Sequence, residues 1–350
     1  MKKKLIAAAI ATAIITPLAA QASGSGPTVY GKLHVTVDNL DRDSNAGDYW
    51  QVESRASRLG FKGSEDLGNG LSAIYKMEFE VDVDGDDADN ITARNQYVGL
   101  ASKSYGTILL GYHDTPYKVI TGKDMFSDRI ADWNKLGFTA GVKGIVEDKR
   151  AENAILYTSP KFNGVTVSAM VSPGESDADD NINDKYTSVA AKYENGPLYI
   201  GLAYEETELA GIDSASPTQD DKEKWRIYSS YKIGAFKIGG MYQDVDNESH
   251  FKEADSQAWQ INGTYSFGNT ALMVAYQEGE VEDDRAASAA YDSPEYDSIV
   301  VAVDHKLSKR TKLYALYTQS DTNDDAKNAA SLASGSDDWD ALSFGIVHKF

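Results

Sequence analysis

The chain has 350 residues, no cysteine and a net charge of −20, with 54 acidic residues against 34 basic ones. Without cysteine, neither a disulfide framework nor a thiolate metal site can hold it together. The acidic excess argues against nucleic acid as a partner, because phosphates need a basic surface.

The first residues form a targeting segment. A basic start, Met1 to Lys4, precedes an apolar run from Leu5 to Ile15, and residues 20–22 (AQA) have the small-x-small pattern of a cleavage site. The run is too short to span a bilayer as a helix. We therefore expect residues 1–22 to be a cleaved signal peptide. Residues 23–350 then form a single exported domain with 31 basic and 54 acidic residues, a net charge of −23.

The dominant pattern after this segment is an alternation of apolar and hydrophilic residues. From Leu71 to Val83 the odd positions are apolar and the even ones mostly hydrophilic, and 223–233 and 256–267 alternate likewise. Because successive side chains of a strand point to opposite faces, each segment has one apolar and one hydrophilic face. About sixteen such strands are predicted, at 28–38, 50–62, 69–83, 93–101, 106–113, 150–158, 163–172, 185–194, 197–206, 223–233, 235–244, 256–267, 269–279, 295–307, 310–320 and 338–350.

The connections between these strands are alternately short and long. Tight turns are predicted at 194–196, 233–235, 267–269 and 307–309, with long polar loops between them, of which 114–149 is the longest. Short turns at one end and long loops at the other are typical of an outer-membrane barrel. The sheet is therefore expected to close into a barrel, since hydrocarbon offers no hydrogen-bond partner for a free strand edge.

Tyrosines near the predicted strand ends are candidates for the aromatic girdles of such a barrel, because amphipathic rings favour the headgroup zone. The candidates are Tyr30, Tyr97, Tyr157, Tyr193, Tyr204 and Tyr265.

Four motifs and the last residue carry a family resemblance. They are VYGK at 29–32, SRLGFKGSEDLGNG at 57–70, RNQYVGL at 94–100, NAILYTSP at 153–160 and the terminal Phe350. With these motifs the chain resembles the general trimeric porins of Gram-negative outer membranes. The resemblance covers the mature chain, and the motif at 57–70 is its most specific part.

The resemblance implies an all-β fold, a 16-stranded antiparallel transmembrane barrel whose third long loop, here 114–149, folds inward. It implies a water-filled channel for the passive diffusion of ions and small hydrophilic solutes, without a cofactor or a chemical step. It also implies a homotrimer in lipopolysaccharide and phospholipid, assembled by the barrel-assembly machinery through Phe350.

The resemblance further implies a constriction at which basic wall residues face carboxylates of the third loop. Matched motif to motif, the wall bases are Lys32, Arg58, Arg94 and Arg150, and strand parity adds Lys76 and Glu78 to the lumen side. The loop acids are Asp124 and Asp128. The loop departs from many relatives, because it lacks their Pro-Glu-Phe tip. Opposed charges across a narrow, water-filled gap would favour polar solutes over apolar ones.

Other readings of the sequence stay open. The acidic loops predict a mild preference for cations at the outer mouth. A solute-specific channel for a sugar or an anion is the alternative, and a secreted lectin or adhesin is a further one.

The acidic run from Asp82 to Asp89 lacks the spacing of an EF-hand, and the chain has no nucleophile elbow, P-loop or His-Glu-x-x-His motif. We therefore expect no metal site and no enzymatic activity.

Overall fold

The computed structural model describes residues 26–42, 48–85, 90–121, 125–135, 146, 148–174, 185–208, 221–246, 254–283, 295–323 and 338–350. The segment 1–22 lies outside them. Seventeen strands make up the sheet: β1 Thr28–Arg42, β2 Tyr49–Ser54, β3 Arg58–Gly68, β4 Leu71–Val81, β5 Ile91–Ser102, β6 Gly106–Asp114, β7 Arg150–Thr158, β8 Val165–Ser172, β9 Lys185–Asn195, β10 Leu198–Glu208, β11 Lys222–Ile233, β12 Phe236–Asp246, β13 Ala254–Phe267, β14 Thr270–Asp283, β15 Glu295–Lys306, β16 Thr311–Thr322 and β17 Trp339–Lys349.

The sheet closes into a barrel of antiparallel neighbours. β1 pairs with β2 and β3, each strand from β3 onward pairs with the next along the chain, and β1 pairs with β17 from Lys32 opposite Lys349 to Arg42 opposite Trp339. The backbone of Phe350 completes this junction, because it exchanges two hydrogen bonds of 3.1 Å with Gly31. Closure removes every free edge, which a sheet in hydrocarbon requires.

Strands β2 and β3 together form one barrel strand, so the barrel has sixteen. Both pair with β1, and the break between them falls at residues 55–57. Here Ala56 has a φ of 48°, in the left-handed region that interrupts a strand. The Ser57 hydroxyl accepts a hydrogen bond from the His34 amide at 2.9 Å and donates to the His34 carbonyl at 3.1 Å. The side chain thus gives the His34 amide a partner, while the His34 carbonyl also accepts from the Arg55 amide at 2.8 Å.

The predicted strands are confirmed, with shifted ends. The strand predicted from 69 begins at Leu71, because Asn69 and Gly70 have positive φ in the turn. The strand predicted to end at 38 continues to Arg42. The four predicted tight turns join β9 to β10, β11 to β12, β13 to β14 and β15 to β16.

Apolar side chains cover the outer surface of the barrel. Leu33, Val98, Ile261 and Val301, among many others, are exposed on strand positions whose neighbours in sequence point into the lumen. Rings on adjacent strands touch, for example Phe236 and Tyr265 with centroids 4.5 Å apart. This distribution is that of a barrel with a lipid-facing outside.

Three of the tyrosines predicted for the girdles lie on the outer surface, and two lie on the lumen side. Tyr157, Tyr204 and Tyr265 are exposed on the outer surface. Tyr30 instead shares the lumen side with Lys32 and donates a hydrogen bond of 2.8 Å to Glu78, and Tyr97 stacks on His113. Strand parity, rather than closeness to a strand end, decides the side on which a ring lies.

The described residues between β6 and β7 include two short helical segments. Helix α1 spans Pro116–Thr121, and a 3₁₀ turn spans Trp133–Lys135. Among the described residues, no helix is long and apolar enough to cross a membrane.

The barrel closure gives a first testable prediction. A Cβ added at Gly31 would overlap the Phe350 ring and lie 2.8 Å from the Arg58 carbonyl oxygen. We expect Gly31→Ala to cost roughly 1–3 kcal/mol through overpacking. The temperature at which the folded band disappears in a heat-modifiability gel should therefore fall.

The matched control is Gly263→Ala, where an added Cβ meets only Val274 at 3.7 Å. Its unfolding temperature should stay at the wild-type value. Equal unfolding temperatures for the two variants would contradict the tight junction at Gly31.

Candidate functional site

The loop between β6 and β7 lies inside the barrel and packs on the inner wall. Tyr117, Ile120, Trp133 and Val146 join a buried cluster with wall residues of β9 to β15, including Tyr228. Farther along, Phe126, Ile130 and Ala131 join a second cluster with residues of β1 and of β14 to β17. Burial of these side chains, which stabilises roughly 1.5–3 kcal/mol for each large one, holds the loop in the lumen.

Ions and polar groups reinforce the first of these clusters. The Arg226 guanidinium donates to Asp148 at 2.8 Å and to Gln243 at 2.6 Å, and lies 4.1 Å from the centroid of the Tyr117 ring. Burial raises the pKa of the Tyr117 phenol well above its usual range, so the ring stays neutral. Arg226 and Tyr117 are both fully buried, so this contact fixes α1 against the wall.

Asp128 at the loop tip binds two of the predicted wall bases. Its Oδ2 accepts from Lys32 Nζ at 2.6 Å and from Arg58 Nη2 at 2.6 Å. The Asp128 backbone N–H donates to Asp132 at 2.6 Å, and its φ is 63°. Burial opposes ionisation of this carboxyl, but Arg58 and Lys32 outweigh it and hold its pKa below the usual range.

The contact differs from the sequence expectation in one respect. The resemblance implied acids and bases that face each other across water, whereas Asp128 touches Lys32 and Arg58 directly. Tyr117, Ile120 and Trp133 of the loop pack on β9 to β15, whereas Phe126, Ile130 and Ala131 pack on β1 and on β14 to β17, beside the tip. The loop therefore reaches from one part of the inner wall to another, and its tip ends in an ion pair with β1 and β3.

A second ionic contact joins the neighbouring residue to the wall. Arg129 donates to Asp304 at 2.7 Å and lies 4.2 Å from the centroid of the Tyr314 ring. Asp304 also accepts from Lys312 at 3.0 Å. Adjacent residues 128 and 129 are thus tied to β1 and β3 and to β15 and β16, which lie in one run of neighbouring strands.

Three other predicted wall residues form one network beside this contact. Glu78 accepts from Lys76 at 3.0 Å, from Arg94 at 3.2 Å and from the Tyr30 hydroxyl at 2.8 Å. Arg94 also pairs with Glu80. One carboxylate therefore holds two of the bases in place on the lumen side.

The structure separates Arg150 from these residues. Arg150 pairs with Asp114 at 3.0 Å and donates to Asn95 at 2.9 Å, and Lys118 lies 3.2 Å from Asp114. This group links β6, β7 and α1, and so fixes the base of the loop. Asp124 lies outside the described residues.

Two cavities meet at the Arg58–Asp128 contact. One, of about 500 Å³, includes Lys349 in its lining, and the other, of about 380 Å³, is lined by Asp114, Trp133 and Asp148 among others. Arg58, Ser127 and Asp128 line both cavities. These three residues lie where the two spaces adjoin.

Several residues of this site were not singled out by the sequence. Among them are Glu80, Asp114, Arg129, Asp304 and Arg226. The alternation of the sequence places Glu80, Asp304 and Arg226 on the lumen side, so it marks them as candidate lining residues. Parity does not tell which of many lumen residues the loop touches, because that depends on how the loop folds.

Among the described residues, no group of three or more His, Cys, Asp or Glu side chains is arranged to hold a metal ion. The adjacent His113 and Asp114 make a local contact through the Asp114 backbone carbonyl, at 2.7 Å from His113 Nδ1. The Asp114 carboxylate is directed to Arg150 and Lys118 instead.

Comparison with known proteins identifies the family. The sequence profile of the family described as Gram-negative porin matches residues 7–325. Outer membrane porin protein 32 of Delftia acidovorans is 29% identical over 331 residues, which cover 90% of this chain and 88% of that protein.

Solved structures show the same fold. An anion-selective porin from Comamonas acidovorans superposes with a TM-score of 0.73 at 21% identity, covering 93% of this chain and 100% of that one. The trimer form of OmpT of Vibrio cholerae superposes with a TM-score of 0.66 at 17% identity, covering 93% and 100%. The closed sixteen-stranded barrel and its lipid-facing outer surface agree with the profile match, whose family consists of outer-membrane channels for passive diffusion rather than enzymes. The chain therefore belongs to the Gram-negative porin family.

Proposed function

We propose that this porin is a general diffusion channel for ions and small hydrophilic solutes, narrowed at the contact of Asp128 with Lys32 and Arg58. The observation that carries the proposal is the position of Arg58, Ser127 and Asp128, which line both cavities. A solute that crosses the barrel passes these residues. Pore width and lining charge then decide what crosses.

We infer the following roles for the predicted residues. Lys32 and Arg58 are the basic side of the constriction, and Asp128 is its acidic side. Arg94, Lys76 and Glu78 form the adjoining wall, on which the Glu78 carboxylate orders both bases. Arg150 positions the base of the loop rather than the constriction. Asp124 remains a candidate from the sequence.

We further propose a mild preference for cations. The charged residues around the 380 Å³ cavity are four carboxylates, at 114, 128, 132 and 148, and three bases, Arg58, Arg94 and Lys118. The whole chain carries a net charge of −20. The 500 Å³ cavity is more basic, which limits the preference. Anion selectivity is a property of the Comamonas acidovorans porin, whose 21% identity supports the shared fold alone.

The same proposal covers export and assembly. Cleavage after residue 22 leaves residues 23–350 as the mature barrel, which forms a homotrimer among lipopolysaccharide and phospholipid. The trimer form of Vibrio cholerae OmpT supports the assembly by analogy of fold. Phe350 is half exposed beside the β1–β17 junction, where the assembly machinery can reach it.

Selectivity in a planar bilayer tests the proposal. The refolded wild-type protein should open in steps, and its reversal potential under a salt gradient should show a mild cation preference. Asp128→Asn leaves Lys32 and Arg58 without their carboxylate, so the cation-to-anion permeability ratio should fall by roughly twofold or more.

The matched control is Asp41→Asn, which removes the same charge from an exposed position on the outer surface. It should keep the wild-type permeability ratio. A folded wild-type protein that never conducts, or an Asp128→Asn variant as selective as Asp41→Asn, would contradict the proposed constriction.

The low pKa of Asp128 makes a prediction about pH. A carboxyl whose folded-state pKa is depressed contributes stability above its unfolded pKa and loses it as the pH falls through the folded pKa. The Asp128 anchor should therefore persist below the ordinary aspartate range, about pH 3.9. Wild-type and Asp128→Asn channels should therefore keep their full difference in permeability ratio as the pH falls from about 7 to about 3.9. A difference that is already halved at about pH 3.9 would show that Asp128 titrates as an ordinary aspartate.

A further inference from the structure

Lysines lie directly opposite each other on neighbouring strands at the short-turn end of the barrel. Lys232 of β11 faces Lys237 of β12 across the turn that joins these strands. Lys306 of β15 faces Lys312 of β16 in the same way. Each pair lies within a few residues of its turn, so both pairs border the inner mouth, the end that faces the periplasm in such barrels.

Two more pairs lie in the same half of the barrel. Lys32 of β1 faces Lys349 of β17, and Lys62 of β3 faces Lys76 of β4. These four cross-strand pairs are called the inner-mouth lysine pairs below.

The inner-mouth lysine pairs point to the lumen. Lys232 has the parity of the buried lumen residues Arg226 and Tyr228 on β11. Lys306 has the parity of Asp304, which binds the loop residue Arg129. Both Lys32 and Lys349 line the 500 Å³ cavity. The pairs therefore charge the water-filled path and not the lipid-facing surface.

Such pairing works against folding. Directly opposite residues of an antiparallel pair have Cβ atoms about 4.5–5.5 Å apart, and like charges at that spacing are destabilising. Carboxylates bind one lysine in three of the pairs: Asp128 binds Lys32, Glu78 binds Lys76 and Asp304 binds Lys312. The other lysines of these pairs, Lys349, Lys62 and Lys306, form no ion pair with a described residue.

Three of the strands that carry these pairs have acidic residues toward the opposite end: Asp246 on β12, Glu295 on β15 and Asp321 on β16. These strands are therefore basic at the inner end and acidic at the outer one, whereas β11 has Lys222 and Lys224 at its outer end.

We propose that the inner-mouth lysine pairs bind polyvalent anions that carry phosphate-type groups, and that they do so from the periplasmic side. A polyvalent anion relieves several of the opposed charges at once, and each ammonium group is a donor for its oxygens. A bound polyanion occupies the path of other ions and reduces their flow. The inference rests on the proposed open channel. It adds a binding site, which a channel that selects solutes by width alone does not need.

The site is tested by comparing how strongly an anion blocks single channels when it is added from either side of the membrane. Inorganic tripolyphosphate is added to one chamber and then to the other, in 0.1 M KCl, where the Debye length is about 10 Å. Orientation is assigned with Ser104→Cys in the β5–β6 turn, biotinylated and probed with streptavidin, since the chain has no other cysteine. The half-blocking concentration should be at least about fivefold lower from the periplasmic side, and the difference should shrink in 1 M KCl, where screening acts over about 3 Å.

The diagnostic variant is Lys232→Gln/Lys237→Gln, and its matched control is Lys103→Gln/Lys309→Gln, which removes two lysines from turns at the same end. The diagnostic variant should lose the sided block and unfold at the same or a higher temperature, because a like-charge pair is gone. Lys232→Arg/Lys237→Arg should keep the block.

Two results would overturn the site: equal block from both chambers in the wild type, or a diagnostic variant that is blocked as strongly as the control. A wild-type protein that conducts nothing before tripolyphosphate is added would count against the proposed channel instead, so the two failures are distinguishable.

Discussion

Every backbone N–H and C=O group within hydrocarbon needs a partner inside the protein, and this requirement shapes the whole molecule. Sixteen strands satisfy it by pairing around a ring, with the β1–β17 ladder and the Phe350–Gly31 bonds as the last contacts. Because a closed sheet has only an inside and an outside, each residue's parity assigns it to lipid or to lumen. Apolar side chains then lie outside, and charged ones are confined to the channel or to the ends.

Confining these charges to a narrow space would cost free energy if they had no partner. Most of those near the loop are paired: Glu78 holds Lys76 and Arg94, Asp304 holds Arg129 and Lys312, and Asp148 holds Arg226. The loop therefore enters the lumen by two means. Tyr117 and Trp133 pack on β9 to β15, and the tip packs and forms ion pairs on β1, β3 and β14 to β17. Two cavities in the described part of the interior adjoin at Arg58 and Asp128.

Much of the fold could be read from the sequence because alternation directly encodes strands and faces. The tight turns were equally predictable, because these short polar connections interrupt the alternation of apolar and hydrophilic residues. The break at Ala56 was not, because it depends on a local φ and on the Ser57 side chain. Tyr30 and Tyr97 were assigned to the outside because they lie near predicted strand ends, whereas the structure has them on the lumen side.

The site was predictable to a smaller extent. Motif and parity singled out Lys32, Arg58 and Asp128, which the structure brings into contact. The partners of Arg129 and Arg226 depend on the three-dimensional path of a loop without periodicity, so no sequence pattern reports them. The facing lysines required the strand register, which turns scattered positions into pairs.

The central claim is that the loop tip lies at the narrow point of the channel, and Ser127 offers the most direct measurement. Ser127→Cys would be the only thiol in the chain, and the native side chain is exposed and lines both cavities. Small charged methanethiosulfonate reagents are applied during single-channel recording. The account predicts a stepwise fall in conductance, with anionic and cationic adducts shifting the reversal potential in opposite directions. Complete modification that leaves conductance and reversal potential unchanged would contradict it.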